Sequence, residues 1–459
     1  MRFNDIHTVY FIGIGGIGMS AIARFFNVMG KNVIGYDKTE TQLTKQLQAE
    51  GVDVHFEDRA ESALEGLNKY NTIVIFTPAV PASHGELLAF QEAGFTIIKR
   101  AKALGIISEQ QDTYAVAGTH GKTTTCSIMA HVLYTTKESC NAFIGGITSN
   151  YNSNCLISEG SDRVVVEADE FDRSFLQLAP KHSIITSMDA DHLDIYGGST
   201  ALEDSFIEFA EKTDDIGLLM LQANLDFSKY SGQAQKLTYG FNHNSADWKG
   251  SKLRYINGKT YFNIASKRQL FKDVEFGLPG QHNAENALAV FALLFELGIS
   301  ELHLRNAFKS YLGVKRRFEF HLKENDLIII DDYAHHPAEI TSFLGSVKAL
   351  YPTKQITCVF QPHLFSRTQD FMEDFAISLG LADKLYLLDI YPARELPIEG
   401  ITSEVLLSKV DLESKYLSSK STIVDDLSIG VHEVIVIVGA GDIDTCIKPI
   451  TAHFKQLYE

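Results

Sequence analysis

The chain has 459 residues, with 41 Lys and Arg against 58 Asp and Glu and a net charge of −17, which excludes a broad polyanion-binding face and hence a nucleic-acid partner. At about 150 residues per domain the length points to roughly three domains. Five cysteines without a C-x-x-C pair, a start (M-R-F-N-D-I-H) lacking a leader pattern, and no run near the ~20 apolar residues of a membrane helix predict a cytoplasmic protein with no membrane partner, no zinc knot and no disulfide framework.

The N-terminal third alternates strand-like and helix-like runs. Residues 8–12 lead into Gly13-Ile14-Gly15-Gly16-Ile17-Gly18, which opens a helical pattern, so Gly13, Gly15 and Gly18 spell G-x-G-x-x-G in a strand-turn-helix setting. Glycines there let backbone N–H groups approach a diphosphate at a helix N-terminus. The next run, residues 32–36, ends at Asp37, about twenty positions past the glycines, where a ribose-contacting carboxylate would stand. Residues 72–76 before Thr77 and 96–98 before Lys99 repeat the rhythm. A nicotinamide dinucleotide and a uridine diphosphate satisfy this motif equally.

The middle third is built around residues 113–125, T-Y-A-V-A-G-T-H-G-K-T-T-T. A short β-branched run enters Gly118, Thr119, His120, Gly121, Lys122, Thr123 and Thr124, and a helical pattern follows, which is the order of a phosphate loop. Backbone N–H groups and the helix N-terminus face phosphate oxygens, Lys122 neutralises charge, and the Thr123 hydroxyl suits Mg²⁺. Val116 stands where the longer form of the loop has its first glycine, so this is a short form. Residues 163–166 form a buried-looking strand ending at Glu167-Ala168-Asp169-Glu170-Phe171-Asp172; Glu167 is the preferred Mg²⁺ ligand, since this hard ion takes oxygens. A further strand runs into Met188-Asp189-Ala190-Asp191-His192-Leu193-Asp194, where His192 suits a second metal, the γ-phosphate or a structural role. From 218 to 276 the runs are short and β-like, with an Asn257-Gly258 hairpin signal. Gln281 then starts a helix with Asn283 and Asn286 one turn apart, able to meet a purine edge or to cap the helix.

A basic link, Lys315-Arg316-Arg317, opens the last third. Strands at 327–330, 356–360, 384–388 and 434–438 end in Asp331-Asp332-Tyr333-Ala334-His335-His336-Pro337, Gln361-Pro362-His363-Leu364-Phe365-Ser366-Arg367-Thr368, Asp389 and Gly439-Ala440-Gly441-Asp442. Polar clusters at the carboxyl ends of parallel strands are where open α/β sheets bind ligands. The paired histidines lack H-E-x-x-H spacing, which argues against zinc hydrolysis.

Taken together, G-I-G-G-I-G-M-S, A-G-T-H-G-K-T-T-T, E-A-D-E-F-D, D-A-D-H-L-D, H-N-A-E-N-A, R-R-F, D-D-Y-A-H-H-P, Q-P-H-L-F-S-R-T and G-A-G-D-I resemble the Mur ligases, ATP-dependent amide-forming enzymes of peptidoglycan precursor synthesis, over nearly the whole chain. The resemblance implies an α/β protein of three domains. These are an N-terminal Rossmann-like parallel sheet (1–107), a central P-loop ATPase domain with a small β-rich part (108–313), and a C-terminal Rossmann-like domain (314–459). It implies UDP-sugar binding by Gly15, Gly16, Gly18, Asp37 and Thr77, and ATP binding by Gly118, Thr119, Gly121, Lys122, Thr123, Thr124, Asn283, Asn286, Arg317 and Asp331. Thr123, Glu167 and His192 match its Mg²⁺ ligands, and Lys122, Glu167 and His192 carry the chemistry. Tyr333, His335, His363 and Arg367 match the amino-acid side, Arg367 as a fork on a carboxylate.

The implied partners are UDP-N-acetylmuramate and L-alanine, with the chain a monomer or weak homodimer. Residues 204–208 carry no lysine, which suits the alanine-adding branch, whereas Ala334 and Leu364 depart from glycine and arginine in relatives. The alternative is a recycling ligase joining a murein tripeptide to the same sugar nucleotide. A dehydrogenase would leave the phosphate loop idle.

Overall fold

The computed structural model describes residues 5–456 apart from 61, 137, 190–195, 197, 257–258 and 394. His192 and the Asn257-Gly258 turn lie outside the described residues. The chain divides into two compact units, one of Met1–Ser251, Ile264–Lys272 and Asn286–Tyr311, the other of Lys252–Asn263, Asp273–Glu285 and Leu312–Glu459.

The first unit opens with β1 (Thr8–Ile12), α1 (Ile17–Val28), β2 (Asn32–Tyr36), α2 (Gln42–Ala49), β3 (Asp53–His55), β4 (Thr72–Phe76), α3 (Gly85–Glu92), β5 (Thr96–Lys99) and α4 (Arg100–Ser108). The strands form a parallel sheet in the order β3-β2-β1-β4-β5. All five residues of β1 are buried, as a strand covered on both faces requires. Strand order reverses between β1 and β4, so the turns after them, at Gly13 and Thr77, flank the crevice where such sheets take ligands.

A second sheet follows: β6 (Asp112–Ala117), α5 (Lys122–Thr135), β7 (Asn141–Thr148), β8 (Ser153–Leu156), β9 (Arg163–Ala168), β10 (His182–Ile185), α6 (Ser199–Glu211), β11 (Leu218–Gln222) and β12 (Gln235–Phe241). Its order here is β12-β11-β10-β6-β9-β7-β8. In register, Ala117 of β6 sits between Ala168 of β9 and Ile185 of β10, so the residues following β6 and β10 and those ending β9 share one sheet edge. The pair β7 and β8 is absent from the sequence expectation. β7 reads N-A-F-I-G-G-I-T, without alternation, and is held by parallel pairing to β9 and packing against α1 and α5. β13 (Trp248–Ile256), β14 (Lys259–Ala265), β15 (Leu270–Phe276) and α7 (Gln281–Glu296) carry residues of both units, and α8 (Glu301–Ser310) closes the first.

The second unit contains β16 (Glu319–Lys323), β17 (Ile328–Asp332), α9 (Pro337–Leu350), β18 (Ile356–Phe360), α10 (Phe365–Asp370), α11 (Met372–Leu379), β19 (Lys384–Leu387), α12 (Ser403–Lys409), β20 (Lys415–Leu417), α13 (Ile423–Ser428), β21 (Val434–Val438) and α14 (Ile447–Lys455). The sheet order is β16-β17-β21-β18-β19-β20, parallel except for β16 at the edge. Every side chain of β21 is 0% exposed, and at about 1.5–3 kcal/mol for each buried aliphatic side chain this central strand anchors its layer. Three sheets, mostly parallel and interleaved with helices, make the α/β class expected from the alternating runs. Among the described residues no helix is long and apolar enough to cross a membrane.

Candidate functional site

The phosphate loop leaves β6 at Gly118, whose φ of +140° and close approach to the Thr186 side chain and the Ser187 backbone leave no room for a Cβ. Ser187 ties the loop down: its carbonyl accepts from Thr119 N (3.3 Å) and its hydroxyl from His120 N (2.7 Å), while Thr186 Oγ1 donates to His120 O at 2.5 Å. Gly121, at φ +81°, caps α5, and a Cβ on it would come within 2.8 Å of Asn286 Oδ1. Lys122 therefore begins a helix that has no acidic side chain in its first turn, and the exposed end of the helix dipole favours an anion there.

Lys122 Nζ donates to Gly118 O (2.6 Å) and Thr119 O (3.4 Å), and pairs with Glu170 at 2.7 Å. Burial pulls the lysine down, but Glu170, Asp169 and Glu167 outweigh it and hold the ammonium above its ordinary value, so it stays charged. Thr123 Oγ1 donates to Glu167 Oε1 at 2.9 Å, and the other Glu167 oxygen accepts from Gly145 N at 2.8 Å. A hydroxyl and a carboxylate in contact at the end of β9 are oxygen donors of the kind Mg²⁺ takes, and these two residues fit that ion.

One cavity of about 690 Å³ runs from the first glycine loop to this centre; its lining includes Gly15, Gly18, Asp37, Thr77, Arg100 and Glu167. Asp37 accepts from Gly15 N at 2.7 Å, so the carboxylate expected to meet a ribose also braces the loop. Gly16 caps α1 without a side-chain cap, leaving N–H groups for a ligand. Arg100, at the start of α4, stands beside Gly18 and lies 3.4 Å from Asp169. It places a cation in the cavity, whose lining also includes Lys38.

In the second unit the ends of β17, β21 and β18 are level, with Asp332 opposite Val438 and Val438 opposite Phe360. Asp331 is fully buried, with Arg316 Nε at 3.7 Å and His321 Nε2 at 3.9 Å. Glu319, His321 and Asp331 bring possible ligand atoms within 4.8 Å of one another, but Arg316 already supplies that pocket with a cation. Burial lifts Asp332 to about 7, against the lowering effect of Arg317 and of hydrogen bonds from Phe318 N and Ala334 N. Tyr333 lies under both guanidinium groups, 5.1 Å from Arg316 and 4.9 Å from Arg317. His335 lies 5.4 Å from the Tyr333 ring and 6.0 Å from the His363 ring, and Arg367 Nη1 is 3.5 Å from His363 Nδ1. Burial pushes His335 and His363 down to about 4, so both are neutral at pH 7 beside the charged Arg367. Leu364 is held at φ +72°, ψ 138° by hydrogen bonds linking it to Tyr391 and Thr368. This strained link sets His363 and Arg367 on one side.

Three family models cover the chain in succession: the Mur ligase family catalytic domain matches residues 8–112, the Mur ligase middle domain 116–294, and the Mur ligase glutamate ligase domain 316–443. A UDP-N-acetylmuramate–L-alanine ligase of Flavobacterium johnsoniae is 47% identical over 99% of this chain and 100% of its own, and its namesake in Flavobacterium psychrophilum 49% over the same shares. The chain belongs to the Mur ligase family. Among solved structures, the UDP-N-acetylmuramate–alanine ligase MurC of Thermotoga maritima superposes with a TM-score of 0.81 at 27% identity, covering 98% of this chain and 99% of the other. A murein peptide ligase of Psychrobacter arcticus, at 21% identity and TM-score 0.71 over 97% and 98%, shares the fold.

In this Mur ligase most of the residues predicted from sequence fall into three groups. Gly118, Thr119, Gly121, Lys122, Thr123, Thr124, Glu167 and Asn286 gather around the phosphate loop. Gly15, Gly16, Gly18, Asp37 and Thr77 line the cavity. Tyr333, His335, His363 and Arg367 form a linked row in the second unit. Asn283 donates to Pro279 O at 2.7 Å, and Arg317 stacks on Tyr333 while Arg316 takes the place beside Asp331. Sequence reasoning missed Arg100, Ser187, Arg316 and Glu170. Glu170 stood inside the acidic run already singled out, but no local pattern says which of its carboxylates turns back to Lys122.

Proposed function

We propose that this Mur ligase joins L-alanine to the lactyl carboxylate of UDP-N-acetylmuramate at the expense of ATP, in peptidoglycan precursor synthesis. The observation that carries the reading is a continuous cavity that opens on the first glycine loop at one end and on Glu167, the partner of Thr123, at the other. Chain-long likeness to relatives named for this reaction supports it.

In this reading residues 1–107 hold the sugar nucleotide, with its diphosphate at the N-terminus of α1 against the loop of Gly15, Gly16 and Gly18, and deliver the lactyl carboxylate toward Glu167. Residues 108–313 hold ATP, and residues 314–459 the amino acid. The carboxylate attacks the γ-phosphorus, the bond to the β-phosphate oxygen breaks, and ADP leaves; the acyl phosphate retains the transferred group. Lys122 and the N–H groups of the loop meet the charge on the transferring phosphoryl group, a task of positioning and electrostatics. Thr123 and Glu167, with His192 as a further ligand, would hold Mg²⁺, which would supply charge compensation for the phosphates. The alanine amine then attacks the acyl carbon, and the tetrahedral intermediate expels phosphate and a proton. Arg367 holds the alanine carboxylate, with His335, His363 and Tyr333 closing the pocket around it. Asn283, Asn286, Arg317 and Asp331 serve the adenosine part. The buried free cysteines fit a reducing cytoplasm, and we assign the chain there as a monomer or weak homodimer.

Phosphate release from ATP with UDP-N-acetylmuramate and each amino acid in turn tests the reading. Turnover is expected with L-alanine. Turnover with the tripeptide L-alanyl-γ-D-glutamyl-meso-diaminopimelate and none with L-alanine overturns it in favour of the recycling ligase.

A further inference from the structure

The Lys122 ammonium has three N–H donors, and all three are engaged: by Gly118 O at 2.6 Å, Thr119 O at 3.4 Å and the Glu170 carboxylate at 2.7 Å. A phosphate oxygen can reach Lys122 only by taking one of those places. Two belong to backbone carbonyls of the loop itself, which Ser187 and Thr186 keep in position. The third is a separate side chain with the same charge and the same kind of oxygen as a phosphate.

Glu170 is also built for such an exchange. Its backbone is anchored, its carbonyl accepting from Tyr196 Oη at 2.6 Å and from Arg173 N at 2.9 Å, so the exchange asks a shift of the side chain and not of the chain. The residue is 1% exposed, and a phosphate beside Lys122 puts a second anion into the same low-dielectric space, where like charges repel strongly.

We propose that Glu170 is a positioning residue for the reaction: its carboxylate occupies the phosphate's place on Lys122, keeps the ammonium aimed into the loop, and is exchanged for the terminal phosphates of the nucleotide. The inference rests on the reading that this loop holds ATP. It makes Glu170 a stabiliser of the protein and a competitor of the nucleotide at once.

The opposite signs of those two effects make the test. Full-length Glu170→Gln is compared with the unaltered chain by calorimetric binding of a non-hydrolysable ATP analogue with Mg²⁺, and by thermal unfolding with and without it. Removing a charge-assisted competitor is expected to tighten the analogue's Kd by on the order of ten-fold. The melting temperature is expected to fall more without the analogue than with it. Glu170→Asp, which draws the carboxylate back by one methylene, is expected to tighten binding by less, and serves as the test if the glutamine variant does not fold. An unchanged or weaker Kd in the variant that folds overturns the exchange, because a purely structural role lowers both melting temperatures alike. Failure of the unaltered chain to bind the analogue overturns the ATP reading, and this inference with it.

Discussion

At position 118 the chain tolerates no side chain: φ is +140°, and a Cβ would run into the Thr186 hydroxyl and lie 2.9 Å from Ser187 N. Gly118→Ala therefore forces either the loop or the end of β10 to shift. A strained backbone position of this kind costs on the order of 1–3 kcal/mol, and the displaced loop is expected to abolish alanine-dependent phosphate release. Urea unfolding beside the phosphate assay checks this; a variant with unaltered midpoint and turnover would show that the loop has slack. Residues such as this glycine are legible in sequence because their demand is local. Glu170 is not, since its partner lies far back along the chain at Lys122, and Arg316 and Arg317, which both lie over Tyr333, are distinguishable only once the backbone brings Arg316 to 3.7 Å from Asp331.

Among elements, α1 and β8 show what the alternating runs could not reveal. Arg24 on α1 donates through Nε to Glu50 (2.8 Å), through Nη1 to Asn154 Oδ1 of β8 (2.5 Å) and through Nη2 to Gln46 of α2 (3.1 Å). Asn154 returns hydrogen bonds to Ile17 O (2.5 Å) and Ser20 Oγ (3.1 Å), and the Phe25 and Phe143 rings lie 5.5 Å apart beside it. The first sheet's leading helix is thus bonded to the edge of the second sheet, along one wall of the cavity. Arg24→Ala strands the fully buried Asn154 Oδ1, at a cost of about 1–3 kcal/mol, with the urea midpoint as the measure. KM for the sugar nucleotide is expected to rise several-fold while KM for ATP moves less; equal rises would mean that the clamp does not shape the cavity. The strand-loop-helix of 112–135 was readable because its parts are contiguous. β7 and β8 escaped because their burial comes from α1 and α5, not from their own pattern.

For the whole molecule, acid is the predicted weakness. Burial pushes His131, His182, His282, His335 and His363 each down to about 4, against an unfolded value of about 6.5. Between those limits the unfolded chain binds protons that the fold refuses, so these groups contribute stability that is full above about pH 6.5 and is lost as pH falls toward 4. Asp332 acts oppositely: held at about 7, it keeps a proton that the unfolded chain releases, and its contribution is lost as pH rises through 7. Five groups outweigh one, so the melting temperature is expected to be lower at pH 5 than at pH 7. A higher value at pH 5 would mean that these imidazoles take protons without unfolding.

By itself the sequence determined the chemistry carried by neighbours in the chain. It specified two glycine loops at strand-helix junctions, a lysine and threonine at the start of α5, an acidic run after β9, and histidines and an arginine after β17 and β18. Contiguity suffices there, because a loop between strand and helix presents its own backbone N–H groups whatever surrounds it. Only the tertiary structure decided the pairings: Thr123 with Glu167, Lys122 with Glu170, Asp37 with Gly15, Arg316 with Asp331. Those depend on strand register. Consecutive side chains on a strand point to opposite faces, so the set of carboxylates that meets the loop is settled by β9 lying level with β6.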